Sequence, residues 1–140
     1  MRLAGGAYTR IDHVKIGDKV LATDPLTGKT EPEAVTNVII TTTDKDFTDL
    51  AVATPGGPRS IKSTQHHPYW SETRYRWIDA AELHTGEALR SSEGHLQQVT
   101  AVRNYADHIA TSNLTVAHLH TYYVLAGVSA LLVTTPTAQT

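Results

Sequence analysis

No cysteine occurs among the 140 residues, which removes disulfides, cysteine-based zinc sites and thiol catalysis at once. An excess of one charge is lacking too. The 12 Lys+Arg stand against 14 Asp+Glu for a formal charge of −2, so no basic face is large enough for non-specific nucleic-acid binding. No apolar run approaches the roughly 20 residues of a membrane-spanning helix, and residues 1–10 do not read as a signal peptide. Helical patterning is almost absent; the one candidate is a single turn at Asp79-Ala80-Ala81-Glu82-Leu83, with Asp79 as N-cap. What remains is a folded composition, 40 % hydrophobic and 19 % charged, in a length that suits one domain.

That domain reads as strands. Thr36-Asn37-Val38-Ile39-Ile40-Thr41-Thr42, Leu50-Ala51-Val52-Ala53, Gln98-Val99-Thr100-Ala101-Val102 and Tyr122-Tyr123-Val124-Leu125 are β-branched or aromatic-rich stretches of strand length. Turn signals separate them at Asp24-Pro25-Leu26-Thr27-Gly28, Thr54-Pro55-Gly56-Gly57-Pro58 and Ser91-Ser92-Glu93-Gly94. Many short strands punctuated this way predict an all-β fold. Trp70, Trp77, Tyr122 and Tyr123 are expected in the core or as platforms, and Leu114-Thr115-Val116 as core alternation.

The two halves resemble each other. Val14-x-x-Gly17-Asp18-x-Val20 recurs as Leu83-x-x-Gly86-Glu87-x-Leu89, Val35-Thr36-Asn37-Val38 as Val99-Thr100-Ala101-Val102, Leu50-Ala51-Val52-Ala53 as Leu114-Thr115-Val116-Ala117, and His67-Pro68-Tyr69-Trp70 as His120-Thr121-Tyr122-Tyr123. Four matches in the same order imply a duplicated β unit packed about a pseudo-twofold axis. Neither copy would bury much core alone. The last match puts His67 and His120 in related positions, so both are expected to face one central site. Asp18 is expected to close a turn onto backbone amides.

Thr64-x-x-His67 adds a hydroxyl to one imidazole. Residues three apart lie on opposite faces of a regular strand, so the chain must turn between them if they act together, and Pro68 interrupts any ladder there. At this point the sequence resembles the Hint superfamily of hedgehog autoprocessing domains, inteins, bacterial intein-like domains and toxin-associated modules, the last two above all. The resemblance is carried by Ile11-Asp12-His13-Val14-Lys15-Ile16-Gly17-Asp18-Lys19-Val20-Leu21-Ala22-Thr23-Asp24, Thr64-x-x-His67-Pro68-Tyr69-Trp70, Trp77-Ile78-Asp79-Ala80-Ala81-Glu82-Leu83-x-x-Gly86 and Asn113-Leu114-Thr115-Val116-x-x-x-His120-Thr121-Tyr122-Tyr123-Val124. It implies a pseudo-symmetric, horseshoe-like fold of many short antiparallel strands over 1–133, with 134–140 as a polar tail.

The resemblance also implies chemistry. In this family a Cys, Ser or Thr at the first position attacks the preceding peptide carbonyl in an N-to-S or N-to-O acyl shift, leading to self-cleavage or splicing. Amide resonance resists that attack, so the site must polarise the bond and protonate the leaving nitrogen. Thr64 and His67 match the residues that do so, and His120 matches the histidine that assists the later steps. Two features depart from the pattern. The nucleophile is not among the first residues, and Thr134-Thr135 stand where splicing members carry His-Asn. Asn113 stands where many inteins carry an acidic residue, as intein-like members often do. The expectation is that this chain alone neither splices nor cleaves itself.

Two other readings stay open. One is a non-catalytic β module serving as a spacer or interaction domain in a larger secreted bacterial protein. The other is an unrelated β-sandwich or metal-binding domain, in which His66 with His67, or His118 with His120, ligate an ion; the i, i+2 pair would share one face of a strand. The expected partners are flanking segments of the same polypeptide, with no nucleic acid, membrane, metal or cofactor, acting as a monomer. Because active-site groups seldom stabilise a fold, Ala at Thr64 or His67 is expected to leave Tm almost unchanged.

Overall fold

The computed structural model describes residues 13–42, 45–91, 95–126 and 129–134. The described chain forms β1 (Lys19–Thr23), β2 (Thr30–Thr41), β3 (Asp46–Thr54), β4 (Gly57–Thr64), β5 (Pro68–Ser71), β6 (Arg76–Asp79), a 3-10 turn (Ala80–Glu82), β7 (Ala88–Arg90), β8 (Leu96–Ala106), β9 (Thr111–Val116), β10 (Thr121–Ala126) and β11 (Ser129–Thr134). All strand pairs are antiparallel. The chain is all-β, and each strand-rich stretch expected from the sequence falls in one of these strands, the first overrunning the end of β2 by Thr42. Asp79 sits at the start of the 3-10 turn but makes no side-chain capping bond. The Asp24–Gly28 turn closes with Gly28 N–H donating to Asp24 O at 2.7 Å. Ser91 closes onto His95 O at 2.7 Å, while residues 92–94 of that turn signal lie outside the described residues. β11 runs one residue into the segment expected as tail, since Thr134 pairs with Thr121.

The duplication is visible bond by bond. In the first copy Gly17 N–H donates to Val35 O (2.8 Å), Val35 N–H to Asp18 O (2.8 Å) and Asp18 N–H to Lys15 O (3.0 Å). In the second, Gly86 N–H donates to Val99 O (2.7 Å), Val99 N–H to Glu87 O (2.9 Å) and Glu87 N–H to His84 O (3.1 Å). The carboxylates repeat as well: Lys15 N–H donates to Asp18 Oδ2 and His84 N–H to Glu87 Oε1, both at 2.9 Å. Both glycines are left-handed, at φ 96° and 92°, which is why glycine stands at each. A bulge at Thr36, where Val35 faces Val116 and Asn37 faces Thr115, recurs at Thr100, where Val99 faces Val52 and Ala101 faces Ala51.

The copies exchange partners. β2 pairs with β9, and the equivalent β8 pairs with β3, so that Val38 faces Leu114 and Val102 faces Leu50. That reciprocity is what a twofold relation between the copies produces. The sheets are β1-β2-β9 and β10-β11-β5-β7-β8-β3-β4, with β6 on the other side of β5. The repeated positions Val14 and Leu83, Val20 and Leu89, Val35 and Val99, Leu50 and Leu114, Val52 and Val116 all enter one core. A smaller cluster joins Trp70, Tyr123, Ala130 and Leu132, with Leu21 and Trp77 against it.

Candidate active site at the end of the curled sheet

The chain turns at Gln65 and His66 between β4 and β5, and His67 N–H donates to Thr64 O at 3.2 Å. This is the turn the Thr-x-x-His spacing required. Pro68 does not simply stop a ladder; it opens β5 opposite Asp79, at the first strand position, where a missing N–H is tolerated. The loop is held from several sides. Gln65 N–H donates to Asp46 O (3.0 Å), Ala80 N–H to His67 O (3.0 Å) and Ala81 N–H to Gln65 O (3.0 Å), and Gln65 Nε2 reaches Phe47 O at 3.3 Å. The first N–H groups of the 3-10 turn are thus spent on fixing the loop.

Two groups are buried there with different standing. The Thr64 residue is only 3 % exposed, and its Oγ1 has no hydrogen-bond partner among the described residues. Buried hydroxyls are nearly always paired, so this atom is one a bound group could satisfy. His67 is also buried, its ring edge-on to Tyr69 and Tyr122 with centroids 5.8 and 6.3 Å away. Burial, with His66 nearby adding to it and a hydrogen bond to Asn113 opposing it, holds its imidazole down to about 4 against an ordinary 6.5. The ring is therefore neutral at pH 7. Burial also raises the Tyr69 hydroxyl to about 12, against a hydrogen bond to Ser63 Oγ at 3.2 Å. Truncating His67 to Ala would open a hole between two tyrosines, costing about 3 kcal/mol by the usual core scale. With the ring buried, a lowered Tm is expected of His67→Ala in place of an unchanged one.

His120 is placed differently. It lies just ahead of β10 at φ 58°, exposed, and its carbonyl accepts from Thr134 Oγ1 at 2.6 Å. Yet register brings the two histidines to one end of the sheet. β5 and β10 flank β11, and Tyr69 and Tyr122 both stand opposite Val133. Each histidine is two residues before its tyrosine, His67 just ahead of β5 and His120 just ahead of β10. β11 ends between them with Thr134; Thr135 lies outside the described residues. One ring is buried and the other open, so they meet at a sheet end without sharing an environment.

Thr121 anchors this end. Its Oγ1 accepts from Thr23 N–H and donates to Thr23 O, both at 2.9 Å, and Thr23 Oγ1 meets Tyr123 OH at 2.5 Å. This clamp was not singled out from sequence, and it depends on residues brought from distant strands.

The strand geometry expected of a His118–His120 metal pair is not present. Both residues have positive φ, 62° and 58°, in the turn before β10. His118 Nδ1 instead meets Glu33 Oε1 at 2.6 Å, which raises the imidazole and lowers the carboxyl from their ordinary values. Among the described residues no three His, Asp or Glu side chains gather as a metal site requires.

The family model described as the pretoxin HINT domain matches residues 1–133. This chain belongs to the pretoxin Hint family. Solved structures agree on the Hint fold. A bacterial intein-like domain from Clostridium thermocellum superposes with TM-score 0.81 at 27 % identity, covering 95 % of this chain and 91 % of that one. A DnaB intein from Synechocystis gives 0.70 at 21 % identity, with 96 % and 92 % covered, and the gp41-1 intein gives 0.68 at 19 %, with 95 % and 91 % covered. No curated protein sequence matches this Hint domain.

Proposed function

We propose that this Hint domain is an autoprocessing module in which Thr64 and His67 activate the peptide bond preceding the domain, and His120 assists at the end of β11. The observation that supports it most is the buried, unpartnered Thr64 hydroxyl on the same tight turn as the buried His67, whose backbone N–H donates to Thr64 O at 3.2 Å. A scissile amide seated there would satisfy Thr64 Oγ1. The attacking thiol or hydroxyl gives its proton to His67 and forms a bond to the carbonyl carbon. The C–N bond then breaks, and the proton passes from the imidazolium to the leaving nitrogen. An imidazolium whose ring titrates near 4 surrenders its proton readily. The reacting partners are flanking segments of the same polypeptide, so the module acts as a monomer and needs no metal, nucleic acid or membrane.

The test is a fusion between two reporter proteins, carrying a Cys-bearing lead-in before Met1 together with Thr134→His and Thr135→Asn. The expected outcome is cleaved or spliced product on a gel, lost in Thr64→Val and His67→Phe. The fusion without those additions is expected to stay whole. A fusion that carries them, folds natively and stays intact overturns the assignment of Thr64 and His67 and favours a non-catalytic spacer.

A further inference from the structure

Thr121 joins the two sheets. β1 is the edge of the smaller sheet and β10 the edge of the larger, so Thr23 has no strand beyond it to pair with among the described residues. The Thr121 hydroxyl takes that place, accepting from Thr23 N–H and donating to Thr23 O, both bonds 2.9 Å long and buried. Two residues on, and so on the same face of β10, Tyr123 OH meets Thr23 Oγ1 at 2.5 Å.

The residue ahead of Thr121 is His120, left-handed at φ 58°. That conformation costs free energy for a side chain with a Cβ and persists only where the surroundings impose it. The exposed ring of His120 is not held by burial. Two hydroxyls hold its backbone instead. One is Thr121 on the C-terminal side, and the other is Thr134 Oγ1, which donates to His120 O at 2.6 Å.

We propose that Thr121 is a positioning residue for His120: its hydroxyl pins the start of β10 to β1 and so keeps the His120 backbone left-handed beside Thr134, where β11 ends. The use of that placement in the C-terminal step rests on the autoprocessing reading; the backbone conformation does not.

The experiment measures, on the intact chain labelled with 13C and 15N, the three-bond coupling between His120 Hα and the carbonyl carbon of Leu119, whose size separates positive from negative φ. Wild type is expected to give the positive-φ value and Thr121→Val a value averaged toward negative φ. Thr121→Ser keeps the hydroxyl and is expected to keep the wild-type value. So is Thr23→Val, which loses the Tyr123 contact but not the Thr23 backbone. A negative-φ wild type, a Thr121→Val chain with the wild-type value, or a Thr23→Val chain that shifts as far as Thr121→Val overturns the proposal. Should Thr121→Val fail to fold, Thr121→Cys, whose thiol is a weaker donor and acceptor, decides by the same coupling. In the reporter fusion that carries the added groups, Thr121→Val is expected to slow release of the C-terminal reporter at least about tenfold, within what a small misplacement costs, with N-terminal release unchanged and Thr121→Ser restoring the rate. Equal slowing at both ends marks a purely structural role and overturns the proposal. A coupling that moves as expected, in a fusion that never cleaves, supports the hold on His120 and tells against autoprocessing.

Discussion

Leaving a buried hydroxyl unpaired costs about 1–3 kcal/mol, and Thr64 Oγ1 is such an atom. Thr64→Val keeps the shape and removes the unmet donor. It is expected to stabilise the domain by about 1 kcal/mol, read as a higher urea midpoint at unchanged slope, while abolishing cleavage in the fusion; a lower midpoint would mean that the hydroxyl has a partner. His67 gives a pH signature of definite sign. Its folded value of about 4 lies below the ordinary 6.5, so the unfolded chain binds the extra proton in that window. Stability is complete above about 6.5 and falls as the pH drops to about 4, by roughly 3 kcal/mol. His67→Phe keeps a ring between Tyr69 and Tyr122 and removes that slope. His118, exposed but bonded to the buried Glu33, contributes with the opposite sign because its imidazole is raised, so the difference between wild type and His67→Phe from pH 7 to 4.5 is the readout. The turn between Thr64 and His67 was legible from sequence because three residues and a proline make it locally. The packing of Tyr122 against His67 was not, because it comes from strand register across the fold, which leaves no local pattern.

At the level of elements, one motif serves twice under different burial. The Gly17 and Gly86 turns share their φ and their bonds, and a Cβ at either meets nothing within 4 Å. Ala at each is therefore expected to cost the same, about 1–2 kcal/mol of left-handed backbone strain. The acids that follow diverge. Asp18 caps an exposed turn. Glu87 is 4 % exposed and takes hydrogen bonds from Ser71 Oγ (2.5 Å), His84 N–H (2.9 Å) and Arg74 (2.9 Å). Burial works to raise that carboxyl, but the Ser71, His84 and Arg74 donors outweigh it and hold the group below 4.5. Asp18→Ala is expected to cost about 1 kcal/mol, one exposed hydrogen bond, and Glu87→Ala about 3 kcal/mol, because the buried donors lose their partner. Equal losses in thermal melts would contradict the burial difference. The motif itself showed the duplication; the weight on Glu87 did not show, because Ser71 and Arg74 reach it from the β5–β6 hairpin. The His118-x-His120 alternation misled for a related reason. It has the period of a strand, but neither of its neighbours is a turn former, and histidine tolerates the left-handed region better than most residues.

Over the described molecule, every pairing of named strands from different hairpins joins one copy to the other, and the single Ser91–Leu131 bridge is the contact of this kind within a copy. β1-β2 meets β9, and in the larger sheet β10-β11, β5-β6, β7-β8 and β3-β4 follow each other as second, first, second and first copy. The sequence repeat announced two copies without saying which strand pairs with which, since identical patterns fit pairing within a copy as well as between copies; the exchange is a property of the assembled register. It has a direct consequence. Cut after Glu82, each half keeps its own hairpins and loses the strands they pair with across the copies, the second half retaining only the Ser91–Leu131 bridge between hairpins, and isolated hairpins are marginal in water. The core positions Val35, Leu50, Val99 and Leu114 would then face solvent in both pieces. Residues 1–82 and 83–140 are thus expected to be unfolded separately, with collapsed amide dispersion and no cooperative melt. Mixed in equal amounts, they are expected to recover the dispersed spectrum of the intact chain, with a Tm that rises with concentration, as a two-chain complex requires. A first half that shows native dispersion by itself would mean that its strands pair within the copy and that the partner exchange is not what holds the sheet.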